Sequence, residues 1–131
     1  MPRALGLILV LLFAAIPRDA DASARELAGQ CQTLLQSKRG SGEHIRIPFT
    51  KQALTCWGYM QAIQDFAALA DENGHRMLGI CTPDRATMLD LVQAFVRYAD
   101  ARGKDLPDNA ALAVTQALQS AYPCAGVAEK L

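Results

Sequence analysis

Apolar residues in this chain recur every three or four positions, the spacing that gathers them on one face of a helix. Leu27, Cys31, Leu34 and Leu35 form such a stripe within residues 24–37, and Ser23 is placed to cap it. Residues 38–44 are polar and rich in glycine, a surface loop, and residues 45–49, which contain Pro48, read as extended or irregular chain. Thr50 can cap a second helix running to about Glu72, with Leu54, Trp57, Ile63, Phe66, Ala67 and Ala70 turned inward. Asn73-Gly74 is expected to end it, because glycine accepts the left-handed conformation common at helix C-termini.

The third helix is expected to open on Thr82 as cap, with Pro83 in the first helical position and Asp84 facing the positive end of the dipole. Met88, Leu91, Val92, Phe95, Val96 and Ala99 then make a broad apolar stripe that Gly103 stops. Leu106-Pro107-Asp108 opens a fourth helix, whose inner face is Ala111, Val114, Ala117, Leu118 and Ala121, and Pro123 ends it. Residues 125–131 have little to bury and are expected to fray. No alternating pattern exceeds Ile45-Arg46-Ile47, and there is no internal repeat. The pattern predicts an all-α fold, a small disulfide-linked helical bundle of about four helices.

The apolar run from Ala4 to Ile16 stands apart from these stripes. Arg3 precedes it, Pro17 ends it, and Ala20-Asp21-Ala22 supplies the small-x-small pattern of a signal-peptidase site. This is the layout of a cleaved secretory leader over residues 1–22, with Ala22-Ser23-Ala24 as a competing site. Spanning a bilayer takes about 20 apolar residues, more than this run offers. Residues 23–131 are then a single exported domain, with a periplasmic location and no stable membrane insertion.

Charge narrows the partners. Thirteen basic residues balance thirteen acidic ones. Arg3, Arg18, Asp19 and Asp21 leave with the leader in equal numbers, so the mature chain stays neutral. No basic stripe is present to displace counterions from a phosphate backbone, which argues against nucleic acid.

Four cysteines, Cys31, Cys56, Cys81 and Cys124, follow the leader. An even count in a small exported chain reads as a disulfide framework. Four cysteines allow three connectivities, and geometry favours one. Helices three and four, joined by a short loop, should pack antiparallel. Their expected lengths, roughly 30 Å and 22 Å, put Cys81 and Cys124 at the same end of that hairpin once two extended residues add about 7 Å. Cys31 is then left to Cys56, both near the loop joining helices one and two. In the chain-entropy model these bridges contribute roughly 3.5 and 4 kcal/mol, against a net stability of about 5–15 kcal/mol for a small domain.

Other chemistry finds little support. No two cysteines stand at the C-x₂₋₄-C spacing of zinc sites, and His44 and His75, the only histidines, fall in loops near glycine. Neither a metal nor a cofactor is expected, nor an enzyme. Asp71-Glu72 and Asp105 with Asp108 read as helix terminators and caps. Gly58 is expected to admit a close helix neighbour while Trp57 fills the core, and Tyr59 to bond a backbone carbonyl from a buried hydroxyl.

The order Cys56-x-Gly58-Tyr59, Asp65 six positions on, Cys81-x-Pro83, then Ala117-Leu118 ahead of Tyr122-Pro123-Cys124, resembles the Rap/Tai family of periplasmic immunity proteins. The resemblance implies a helical, disulfide-bonded protein that protects a Gram-negative cell from peptidoglycan amidase effectors of type VI secretion. Protection would come from binding the toxin and blocking its active site; a homodimer is implied as well. Ala62 departs from the family, which often has glycine there.

A binding protein of this kind needs a rigid bundle presenting one projecting loop, since preorganised segments lose less entropy on docking. The candidates are residues 38–44, with Lys38, Arg39 and His44, and residues 71–79, with His75. An alternative role, an acid-stress periplasmic chaperone, requires carboxylates or histidines buried so that protonation loosens the fold.

Overall fold

The computed structural model describes residues 23–36 and 47–125. Its helices are α1 (Ala24–Leu35), α2 (Lys51–Ala67), α3 (Met88–Arg102) and α4 (Ala110–Ala121), with a 3₁₀ turn at Gly103–Asp105. Among the described residues there is no strand, only isolated bridges pairing Ser23 with Asn109, Ala70 with Arg76 and Ile80 with Pro123. The fold is the expected all-α bundle. The expected leader over residues 1–22, the expected loop carrying Lys38, Arg39 and His44, and residues 126–131 lie outside the described residues.

Each helix opens on a side chain that accepts an otherwise orphaned backbone N–H. Ser23 accepts from Glu26, Thr50 from Ala53 and Asn109 from Leu112. At α3 the cap is reciprocal: Thr87 accepts from the Asp90 N–H, and the Asp90 carboxylate accepts from the Thr87 N–H at 2.7 Å. This capping box corrects the expected start at Thr82-Pro83-Asp84. Thr87 and Asp90 satisfy two donors where Thr82 would satisfy one, and Pro83 instead begins a turn closed by the Ala86 N–H. Asn109 likewise displaces Asp108 as the opening of α4; the Asp108 carbonyl receives the Ala24 N–H at 2.7 Å and ties α4 to α1.

Core residues come from all four helices. Leu27, Ala28, Cys31 and Leu34 of α1 meet Ala53, Cys56, Met60 and Ala67 of α2. Leu91, Val92, Phe95, Val96 and Ala99 of α3 and Ala113, Val114, Ala117 and Leu118 of α4 complete it. α1 packs against each of the other three. Tyr98 of α3 donates from its hydroxyl to Gln116 of α4 at 3.0 Å, and the Arg102 guanidinium sits over its ring.

The inner face of α2 differs from expectation. Leu54, Phe66 and Ala70 are exposed, and Trp57 and Ile63 only half-buried against the core. Cys56 fixes the phase: its sulfur must face Cys31, which turns Ala53, Met60 and Ala67 inward and rotates Leu54 and Phe66 out. On α4 the buried alanines are Ala110, Ala113 and Ala117, while Ala111 and Ala121 are exposed.

Two disulfides close the bundle, Cys31–Cys56 and Cys81–Cys124, with Cα separations of 5.0 and 4.9 Å. The second pair is brought together by a different device from the one expected, since α3 is a 15-residue helix that starts well after Cys81. Extended chain does the work: Ile80 lies antiparallel to Pro123, and the Cys81 N–H donates to the Tyr122 carbonyl at 2.8 Å.

Candidate functional site: a projecting hairpin

α2 ends at Ala67, not at Glu72, because the chain that follows folds back on itself. The Met77 N–H donates to the Leu69 carbonyl at 3.0 Å and the Asp71 N–H to the His75 carbonyl at 2.9 Å, with Ala70 opposite Arg76 between them. The Gly74 N–H closes the turn onto the Asp71 carbonyl, and Gly74 has φ +80°. A tight turn followed by a left-handed residue is the usual three-residue hairpin connection, and glycine takes that conformation without steric cost. Asn73-Gly74 therefore turns a hairpin and does not terminate a helix.

Asp71 pins the tip. One carboxylate oxygen accepts the Asn73 N–H at 2.8 Å and the His75 N–H at 2.9 Å, and the other lies 3.2 Å from the His75 ring Nδ1. The His75 N–H, foremost, holds the Asp71 carboxyl below the usual carboxylate range; desolvation, next in size, opposes it, and the Asn73 N–H and the His75 ring add to the lowering. At the base, the Arg76 guanidinium donates to the Ala68 carbonyl at the end of α2. Gln119 of α4 donates to the Leu78 carbonyl at 2.7 Å.

Every residue from 68 to 77 is exposed, yet the segment is fixed at both ends. Leu69 and Met77 stand opposite each other, so their side chains share one face of the hairpin. Met77 is 68% exposed, and Phe66, on the last turn of α2, is 60% exposed. An apolar pair rimmed by Asp71, Glu72, His75 and Arg76 has the make-up of a contact surface, with an apolar centre and a polar edge.

His75 is the one predicted contact residue that the described residues contain, and it sits in this hairpin. The sequence reading does not mark Leu69 or Met77 and assigns Phe66 to the core, although Asp71 followed three positions later by Gly74 is itself a turn signature. The motif residues play quieter parts. Gly58 is exposed, and a Cβ built there would meet nothing within 4 Å, so it admits no close neighbour. Tyr59 is half-buried against the core; burial pushes its pKa up, but its hydroxyl makes no hydrogen bond to a described residue. Asp65 is exposed and accepts from Gln61 one turn earlier, while Ala62 is exposed. Pro83 lies in the turn before α3, and Pro123 in the bridge to Ile80.

A concavity of about 490 Å³ runs between α3 and α4 and is lined by Asp90, Ala94, Arg97, Tyr98 and Tyr122 among others. Burial raises the Tyr122 pKa, the Asp90 charge adds to this, and Arg97 pulls the other way.

No curated protein and no solved structure matches the chain. The model of the Rap1a immunity proteins does, over residues 23–124, a span that takes in α1 to α4, both disulfides and the hairpin. The chain belongs to the Rap1a immunity protein family.

Proposed function

We propose that this immunity protein works in the periplasm, where it binds a peptidoglycan amidase delivered by type VI secretion and occludes the amidase active site with residues 69–77. The immunity role, and with it a toxin partner and a non-catalytic action, comes from the family. The amidase, the delivery route and the compartment are the finer reading. Support for export is the leader-like run before Ala22 together with cysteines that are all paired, a state that persists in oxidising compartments.

The observation that carries the binding reading is the hairpin itself: wholly exposed, yet held by Asp71, Arg76 and Gln119. A segment already fixed loses little conformational entropy when it enters a cleft. Inhibition of amidase-catalysed peptidoglycan hydrolysis by the purified protein, together with recovery of a cell-wall amidase from periplasmic extract, tests it. A protein that neither recovers nor inhibits such an enzyme overturns it.

A homodimer belongs to the same reading. The groove between α3 and α4 suits it, because a two-fold contact needs a self-complementary surface. Asp90 and Arg97, of opposite charge, flank Ala94 about two turns apart on α3. Light scattering on the protein and on Ala94→Glu measures the outcome: a dimer that the substitution converts to monomer. The acid-stress alternative gains nothing here, since among the described residues no polar or charged side chain is buried.

A further inference from the structure

We infer that the Cys81–Cys124 disulfide is a reducible clasp controlling the order of the hairpin, whereas Cys31–Cys56 is a permanent cross-link; its consequence for toxin binding rests on the reading above. The two bridges differ in what a reductant can reach. Cys31 and Cys56 are each 0% exposed, within the core between α1 and α2. An attacking thiolate meets those sulfurs only after the bundle opens. Cys81 is exposed and Cys124 half-buried, so exchange at this bridge proceeds on the folded protein.

The clasp also stands where it matters. One strand of the hairpin grows directly out of α2, so the helix holds it. The returning strand is tied to α4 through three links: Gln119 on the Leu78 carbonyl, the Cys81 N–H on the Tyr122 carbonyl, and the disulfide. Only the last is covalent. With it open, two hydrogen bonds and the buried Ile80 are left to tie that strand to the α4 side, besides its bonds across the hairpin to Ala68, Leu69 and Asp71, while α1, α2 and the Cys31–Cys56 bridge are untouched.

The co-reactant is a dithiol, of protein or small-molecule kind. One of its thiolates attacks the Cys81 sulfur, the S–S bond breaks, and the electron pair leaves on the Cys124 sulfur, which takes up a proton. The second thiolate of the reductant then attacks the reductant's own sulfur in the mixed disulfide. Cys81 is released as a thiolate and protonated. Two electrons and two protons pass to the protein, and the dithiol departs as a disulfide.

Dithiothreitol added in graded amounts to the native protein, followed by alkylation and mass mapping, reads the first half of the claim. Labelling at Cys81 and Cys124 is expected to run at least about tenfold faster than at Cys31 and Cys56. Amide exchange reads the second half: residues 69–81 should exchange about tenfold faster once the clasp is open, with α1 and α3 unchanged. The double variant Cys81→Ser/Cys124→Ser should reproduce that exchange pattern without reductant. One labelling rate for all four cysteines overturns the inference, and so does an unchanged hairpin after selective opening. A protein that binds no amidase in either redox state counts against the hairpin's proposed function, and the labelling and exchange results still decide the clasp.

Discussion

Asp71 and His75 are joined at three points across the turn of the hairpin. The Asp71 N–H donates to the His75 carbonyl, the His75 N–H donates to one Asp71 carboxylate oxygen, and the His75 ring faces the other. Both side chains are exposed. Their bonds therefore set the local shape of the tip and add nothing to a buried core.

That geometry makes the tip sensitive to acid. The folded Asp71 carboxyl titrates below its ordinary value, held there first by the His75 N–H. A group with a lowered folded pKa contributes fully above its unfolded value, about 3.9, and loses that contribution as pH falls through the folded value. The Asn73 and His75 amide resonances should accordingly move together below about pH 4 as the Asp71 carboxylate protonates. Asp71→Asn keeps an acceptor for both N–H groups and carries no titrating charge. In that variant the two resonances should no longer shift with pH in this range.

Two glycines should respond to alanine in opposite directions. Gly58 lies inside α2 and is exposed, with open space where a Cβ would go. Gly58→Ala is expected to stabilise the protein by about 0.5–1 kcal/mol through helix propensity alone. Gly74, at φ +80°, is in the region where a Cβ is strained. Gly74→Ala should cost about 1–2 kcal/mol if the turn is retained. Thermal melts of the two variants read both signs, and a destabilised Gly58→Ala would mean that a neighbour does approach that face.

The contrast also marks how far the sequence could be read. Helix count, the Ser23 and Thr50 caps, the α3 stripe from Leu91 to Ala99 and the Gly103 stop were all legible, because periodicity and capping chemistry act locally. The phase of α2 was not. Leu54 and Phe66 are large and apolar, yet the inward direction was set by a long-range constraint, the Cys31–Cys56 bond, that local spacing does not encode. On α4 the sequence marks Val114, Ala117 and Leu118 correctly and misplaces only Ala111 and Ala121, because in a run of alanines no residue is distinct enough to mark the buried side. At the site, His75 was found by its loop, but Asp71 was taken for a helix terminator. Its role depends on backbone N–H groups that gather only once the turn has formed.

The same Cys31–Cys56 bond should also contribute a large share of the stability. Its half-cystines are fully buried and 25 residues apart in sequence. Replacing both with alanine should remove about 3.5 kcal/mol by the loop-entropy estimate. Phe95→Ala, which empties the centre of α3, should cost a comparable 3–5 kcal/mol or so. Urea titration distinguishes their origins. The cysteine variant should expose more surface on unfolding and show a steeper slope, because its unfolded chain has lost a cross-link; the Phe95 variant should shift only the midpoint.

Binding should depend on Leu69 and Met77 while folding does not. The two stand on one face of the hairpin and both are exposed, so aspartate at either position meets water in the free protein. Leu69→Asp/Met77→Asp should therefore melt within about 0.5 kcal/mol of the parent. In the complex the same carboxylates would be taken into an apolar contact without partners, a penalty of several kcal/mol. Amidase inhibition should fall at least about 100-fold, equivalent to about 2.7 kcal/mol or more. Phe49→Ser is the matching control: Phe49 is 92% exposed at the opposite end of α2, remote from the hairpin. A Phe49→Ser loss as large as that of the double aspartate would move the toxin contact to that end of the bundle. Retained inhibition by the double variant would remove the hairpin from the mechanism altogether.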